Sequence, residues 1–202
     1  MSEPAAVRLV AHADESCLGN GMEGPNPGGA ASLVEIVSDR HIARLDLYIS
    51  APDTTNNRMA LSGAIATFAL VYQQYPRASM AFVSDSQYLV KGITEWVSSW
   101  RARGWRRKGG PIENLELWKQ LVRESDRHDA TWIWVRGHAG HVKNEYANDL
   151  AIHAASNQVA SDGLVESGFE QWLAGKRSRG LFMDFDPNEH AAELDTELGT
   201  PR

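Results

Sequence analysis

The stretch VRLVAHADES, residues 7–16, decides how the chain is read. From Ala6 to Ala13 it is a short, mainly apolar run of strand length, closed by two adjacent carboxylates, Asp14 and Glu15. Acidic residues are poor strand formers. A strand that ends on two of them either enters a solvated turn or mounts a metal or acid–base site at the rim of a sheet.

Outward from this run the chain alternates between the two regular periods. GNGMEGPNPGG (19–29) is dense in Gly, Pro and Asn and reads as a loop. Residues 30–37 and 42–49 are β-rich runs separated by SDRH, a hairpin or meander. TTNNRMALSGAIATFALVYQQYP (54–76) opens on capping residues and stops before a proline, with Leu61, Ile65, Phe68 and Tyr72 on one helical face. A strand is expected over 79–83 and a helix over 86–98. A Gly-Gly-Pro break leads to a helix over about 112–127, then a strand over 131–135 and a helix over 143–155. The order βββαβααβα predicts an α/β fold: a five-stranded mixed sheet flanked by helices.

The composition changes after Ser156, so the expected division is a domain over 1–156 and a C-terminal extension over 157–202. SGFEQWLAGKRSRG has room for one short helix. Its Phe169, Trp172 and Leu173 either dock a partner or, as we expect, fold back on the domain. Residues 184–197 carry six acidic groups and no Lys or Arg, the pattern of a disordered tail.

The 202 residues carry a net charge of −6, so polyanion binding requires a local basic patch. A single cysteine, Cys17, excludes an intramolecular disulfide. MSEPAAVRLV lacks a charged region followed by a long apolar one, and no stretch approaches the roughly 20 apolar residues of a membrane span. A cytoplasmic protein without membrane association or organic cofactor is expected.

Asp85, in VSDSQ, ends the fourth strand as Asp14 ends the first. Strand ends of α/β sheets collect ligands, and two aspartates on neighbouring strands suit a shared Mg²⁺. Each alone also reads as a turn or cap residue. WRARGWRRK (100–108) sets five cations around two tryptophans, which suits either a phosphate backbone or a solvated helix end with tryptophans in the core. The amides and hydroxyls of TTNNR (54–58) could cap a helix or reach nucleic acid. GHAGH (137–141) places two histidines on a glycine-rich loop able to carry a proton over a site. Nothing near Cys17 argues for an activated thiol.

Taken together, DESCLGN (14–20), TTNNRM (54–59), SDSQYLVKGITEWV (84–97), GPIENLELW (110–118) and VRGHAGHVKNEYANDLA (135–151) resemble type 1 ribonuclease H. The resemblance implies a ribonuclease H-like fold and Mg²⁺- or Mn²⁺-dependent endonuclease action on the RNA strand of an RNA/DNA hybrid. It places the first and second catalytic aspartates of that family on Asp14 and Asp85, and the assisting loop histidine on His138. It places hybrid contacts on Cys17, Asn20, Asn56, Asn57 and Gln87. The basic handle falls on Trp96 to Lys108, with Arg101, Arg103, Arg106, Arg107 and Lys108 as its charges. Thr55 and Trp100 match residues near the DNA-strand phosphate.

Two positions depart from the family. Its glutamate after TNNRM is Ala60 here, and its last-helix aspartate is Asn148. Asp149 follows the second loss, and Glu15 stands where the family has glycine. Simple replacement is disfavoured for both. Neighbours on a helix diverge by about 100°, and neighbours on a strand point to opposite faces, unless a bulge or turn re-aims Glu15. The chain is thus an active nuclease with a rebuilt site, a hybrid-binding protein that has lost cleavage, or a deliberately inactivated chain.

Overall fold

A computed structural model of the chain describes residues 8–19, 25–38, 41–137 and 140–188. Three long strands come first: β1 (Arg8–Cys17), β2 (Gly28–Ser38) and β3 (His41–Ala51), paired antiparallel in sequence order. Helix α1 (Asn56–Gln74) leads to β4 (Ser79–Ser84). Next come α2 (Gln87–Lys91), one π turn (Gly92–Trp96) and α3 (Val97–Ala102). Then follow α4 (Leu115–Ser125), β5 (Asp129–Trp134), α5 (Val142–Asn157), β6 (Val165–Glu166) and α6 (Phe169–Arg177). The sheet order is β5-β4-β1-β2-β3-β6, with β4 parallel to both β1 and β5.

Five of the six strands are those the sequence predicts. The sixth comes from the extension, whose two residues Val165 and Glu166 pair with Asp46 and Leu45 of β3. A two-residue strand carries no readable periodicity, because its pairing is decided by the neighbouring edge rather than by its own pattern.

Strand alternation gives the sheet two unlike faces. On one, Leu9, Ala11 and Ala13 of β1 pack with Leu61, Ala64 and Phe68 of α1 in the main core. Gly63 is needed there: a Cβ on it would lie 2.7 Å from the Cβ of Ala30. On the other face lies α5, where a Cβ on Gly29 would lie 2.3 Å from the carbonyl oxygen of Ala151.

The second face also carries a buried ion network. Glu35 of β2 accepts from Lys143 of α5 at 2.7 Å and from Arg44 of β3 at 2.9 Å, and lies 3.4 Å from Nε2 of His12. Burial alone would raise the Glu35 carboxyl. His12 and Lys143 outweigh it and hold the group at about 2. A pairing this dense fixes α5 over β1 and β2.

The extension returns to this face. Phe169 and Leu173 are buried with Leu33, Val142 and Tyr146. Of the two expectations for this apolar trio, folding back is therefore the one observed. Residues 189–202, most of the acidic tail, lie outside the described residues.

The segment predicted as one helix over 86–98 runs on to Ala102 and is interrupted by the π turn. At its start, Gly92 faces Trp118: a Cβ there would be 2.0 Å from the indole, so glycine lets the two helices approach.

Candidate metal and nucleic-acid site

β1 outruns β4. Their last pair is Ala13 with Ser84, while β1 stays paired to β2 as far as Cys17. Asp14 and Glu15 therefore have a strand on one flank and open space on the other. Asp85, the residue after β4, occupies the end of that space. One carboxylate oxygen from each of Asp14, Glu15 and Asp85 lies within 4.8 Å of the others.

The convergence requires no bulge. Asp14 pairs with Ala31 and Glu15 with Ala30 in unbroken register. The Asp14 side chain bends along the chain instead, and its Oδ1 accepts from the Glu15 amide at 2.7 Å. This corrects the expectation that a bulge or turn would be needed to re-aim Glu15.

Alternation also settles which face each acid serves. His12 and Asp14 share parity and belong to the α5 face. Ala13 and Glu15 belong to the α1 face, and Ala30, the partner of Glu15, faces Gly63 of α1. Ala60, where the resemblance expects glutamate, lies on α1 in the same core as Ala13 and is 4% exposed. The alternation that argued against Glu15 thus brings it to the face from which the missing carboxylate would come.

Crowding shows in the acidities. Burial, then the Asp85 charge, pushes Asp14 up to about 7, with the Glu15 amide opposing. Burial, then Asp14 and Asp85, pushes Glu15 up to about 8, with a hydrogen bond from Ser86 opposing. A divalent cation would relieve this repulsion, and an all-oxygen donor set suits a hard ion. Cys17 is pushed up to about 11 by burial and by Glu15, which leaves a protonated thiol rather than a nucleophile.

Asp85 is held from β5. The indole N–H of Trp134 donates to its main-chain oxygen at 3.0 Å. Gly137 lies against its carboxylate so closely that a Cβ would sit 2.1 Å from Oδ2. His138 follows Gly137 directly but is outside the described residues, as is Asn20.

From α5, Asn144 donates to the carbonyl of Ala13 at 3.1 Å, and about two helical turns later, at Ala151, the helix passes over Gly29, two strand residues beyond the level of Asp14. Asn148 lies between these two crossings, on the face of Asn144. Asp149 does not join the cluster. Its Oδ2 accepts from the Trp172 indole at 2.8 Å and pairs with Lys176 at 2.9 Å. Asp149 is the candidate replacement ligand whose simple substitution helix geometry disfavours, and its side chain turns away from that of Asn148, toward α6.

The nucleic-acid candidates divide. Thr55 caps α1, its hydroxyl accepting from Arg58 N–H at 3.3 Å. Asn56 and Asn57 follow in the first turn, and Oδ1 of Asn56 is buried without a hydrogen-bond partner among the described residues. Gln87 opens α2 and accepts from Lys91. Trp100 is 8% exposed and packs with Trp96 and Trp118, so its indole is core rather than surface. Trp96 is half-buried beside it and beside Tyr88. Arg103, Arg106, Arg107 and Lys108 are exposed, whereas Arg101 is paired with Asp126 at 3.1 Å.

Sequence reasoning missed Asn26 and Trp134. Asn26 accepts from the Gly19 amide and donates to the carbonyl of Thr54, tying the β1–β2 loop to the start of α1. Its place in a Gly/Pro-rich loop was the available signal. No helix among the described residues is long and apolar enough to cross a membrane.

Comparison with known proteins agrees with this geometry. The family model for RNase H matches residues 7–156. Ribonuclease H of Methylococcus capsulatus is 38% identical over 155 residues, which are 76% of this chain and 93% of that protein. The crystal structure of LC9-RNase H1, described as a type 1 RNase H with the type 2 active-site motif, superposes with a TM-score of 0.79. It is 50% identical and covers 86% of this chain and 83% of that one. A foamy viral protease–reverse transcriptase in complex with an RNA/DNA hybrid shares the fold at 17% identity and a TM-score of 0.58, over 75% of this chain and 20% of that one. Matched in sequence along nearly the whole of its relatives and in structure across the sheet and its helices, the chain belongs to the ribonuclease H family of endoribonucleases.

Proposed function

We propose that the chain hydrolyses the RNA strand of RNA/DNA hybrids, with Mg²⁺ or Mn²⁺ held by Asp14, Glu15 and Asp85 and by the side-chain oxygen of Asn148. The observation that carries this reading is the meeting of three carboxylates at the overhang of β1, with Glu15 on the face of Ala60. The family match supports the reaction class. The description of LC9-RNase H1 as a type 1 RNase H with the type 2 active-site motif supports the reading of a type 1 scaffold with a departed active-site motif.

The metal, when bound, would polarise the phosphodiester and supply an activated water. The protein's part is orientation and charge. Asp14, Glu15 and Asp85 give three negative charges, one more than Asp14 and Asp85 alone would supply. Trp134 holds the main-chain carbonyl of Asp85, and Gly137, lacking a Cβ, leaves room for its carboxylate. His138, which follows Gly137 in the chain, is proposed to carry the proton that the departing ester oxygen takes up as the phosphorus–oxygen bond breaks. Asn56, with an unpaired acceptor, is proposed to meet the hybrid, and the exposed cations from Arg103 to Lys108 to meet its phosphates.

The test is cleavage of a labelled hybrid in Mg²⁺ by the native chain and by Asp85→Asn and Glu15→Gln. The reading expects RNA-strand cutting that Asp85→Asn abolishes and Glu15→Gln lowers by about 100-fold or more. Salt-dependent hybrid binding with no cutting in Mg²⁺ or Mn²⁺ would instead establish a non-catalytic binder.

A further inference from the structure

The extension touches the site's own helix one residue away from Asn148. Two α6 side chains, Trp172 and Lys176, converge on the same oxygen of Asp149, at 2.8 and 2.9 Å. The Lys176 ammonium also lies 4.8 Å from the centre of the Trp172 ring, so the pair is held as a unit. One turn earlier, Tyr146 of α5 donates to Asp46 of β3. That carboxylate also accepts from Ser167 at 2.7 Å and from the Gly168 amide at 3.0 Å, both in the extension.

A helix fastened on one flank can still roll about its axis. Helix α5 is fastened on two. On the sheet side, Asn144 holds the carbonyl of Ala13, the peptide that leads into Asp14. On the other side, Asp149 and Tyr146 are held through α6 and its approach. Asn148 sits between these fastenings. A neutral amide binds a cation only through a correctly aimed dipole, so it depends on the roll of its helix more than a carboxylate would.

We infer that the C-terminal extension is part of the metal site's support: Asp149 is a positioning residue which, through Trp172 and Lys176, sets the roll of α5 and so aims Asn148 at the cluster. The inference rests on the proposed reading in which Asn148 takes part in binding the metal.

The test compares the full-length chain with Trp172→Phe/Lys176→Met, which keeps the bulk of both side chains but removes both partners of Asp149, and with Asn148→Ala. Three quantities are read: Mn²⁺ affinity of the protein without nucleic acid, by electron paramagnetic resonance; the Mg²⁺ midpoint for hybrid cleavage; and the midpoint of thermal unfolding. Loss of an outer partner of a metal site typically weakens binding by about tenfold or more. The double variant should therefore lose about tenfold in Mn²⁺ affinity and need correspondingly more Mg²⁺, with KM for hybrid unchanged at saturating metal. A double variant that unfolds earlier but keeps the native metal affinity would overturn the inference, since a purely structural role predicts that pattern. If Asn148→Ala binds metal normally, the reading of Asn148 itself fails. If only Asn148→Ala is impaired, that reading stands and the role of the extension falls.

Discussion

Glu15 and Ala60 lie on the same face of the sheet, the first on β1 and the second on the helix that covers it. A carboxylate missing from one element is thereby available from the other. This relationship makes a rescue experiment possible. Glu15→Gln should cut cleavage by about 100-fold or more, since one ligand charge supplies several kcal/mol. Ala60→Glu in that background should restore a large part of it. Ala60→Glu alone should gain little and lower the melting temperature, because it adds a fourth carboxyl to a crowded, buried position. Four cleavage rates and four melting curves complete the cycle.

Stability without metal should fall as pH rises. Asp14 and Glu15 titrate at about 7 and about 8 in the folded chain, against ordinary values of 3.8 and 4.5. The folded state therefore holds more protons than the unfolded state across that interval. The stability this gives is full below about 4 and is lost by about pH 8. Glu35 acts in the opposite direction: held at about 2 against 4.5, it contributes stability above 4.5 that is lost as pH falls through 2. Thermal unfolding in EDTA should show a maximum on the acid side of neutrality, and added Mg²⁺ should flatten the alkaline decline.

Gly137→Ala places a methyl group where the Asp85 carboxylate now lies, 2.1 Å from Oδ2. The carboxylate must move. Metal affinity and cleavage should drop together, while overpacking at this rim position costs about 1–3 kcal/mol of stability. Calorimetric Mg²⁺ titration separates the two effects.

Phe169→Ala should be among the most destabilising single changes, by about 3–5 kcal/mol, because the ring is fully buried between Tyr146, Trp172 and Arg44. Urea unfolding measures it. An extension that merely hung from the domain would give almost no change.

Hybrid binding should depend steeply on salt, and the exposed cations should account for the slope. Arg106→Ala, Arg107→Ala or Lys108→Ala should each reduce the log–log slope by about 0.7–0.9 if the residue neutralises one phosphate. Arg101→Ala should reduce it less, because Asp126 already engages that guanidinium.

The succession of strands and helices and the two strand-end aspartates were legible in the sequence, since strand periodicity and the closing acids are local signals, whereas the lateral order of the strands is not one. Glu15 was legible only as a question. Its alternation was read as an obstacle, because the sequence does not say which face the lost glutamate of position 60 would come from. Asp149 was open for a similar reason: its partners Trp172 and Lys176 are more than 20 residues on, and a helical sequence does not announce which helix will lie alongside. Trp100 carried two readings, and its burial with Trp96 and Trp118 chose the packing one.

The overhang of β1 beyond Ser84 amounts to a construction rule. In a strand flanked on both sides, adjacent residues are insulated from each other by the sheet itself. Where the strand projects past one neighbour, consecutive side chains can lean around the free edge and share one coordination sphere. A designer wanting two ligands from two successive codons needs neither an insertion nor a distorted backbone. Shortening the adjoining strand is enough.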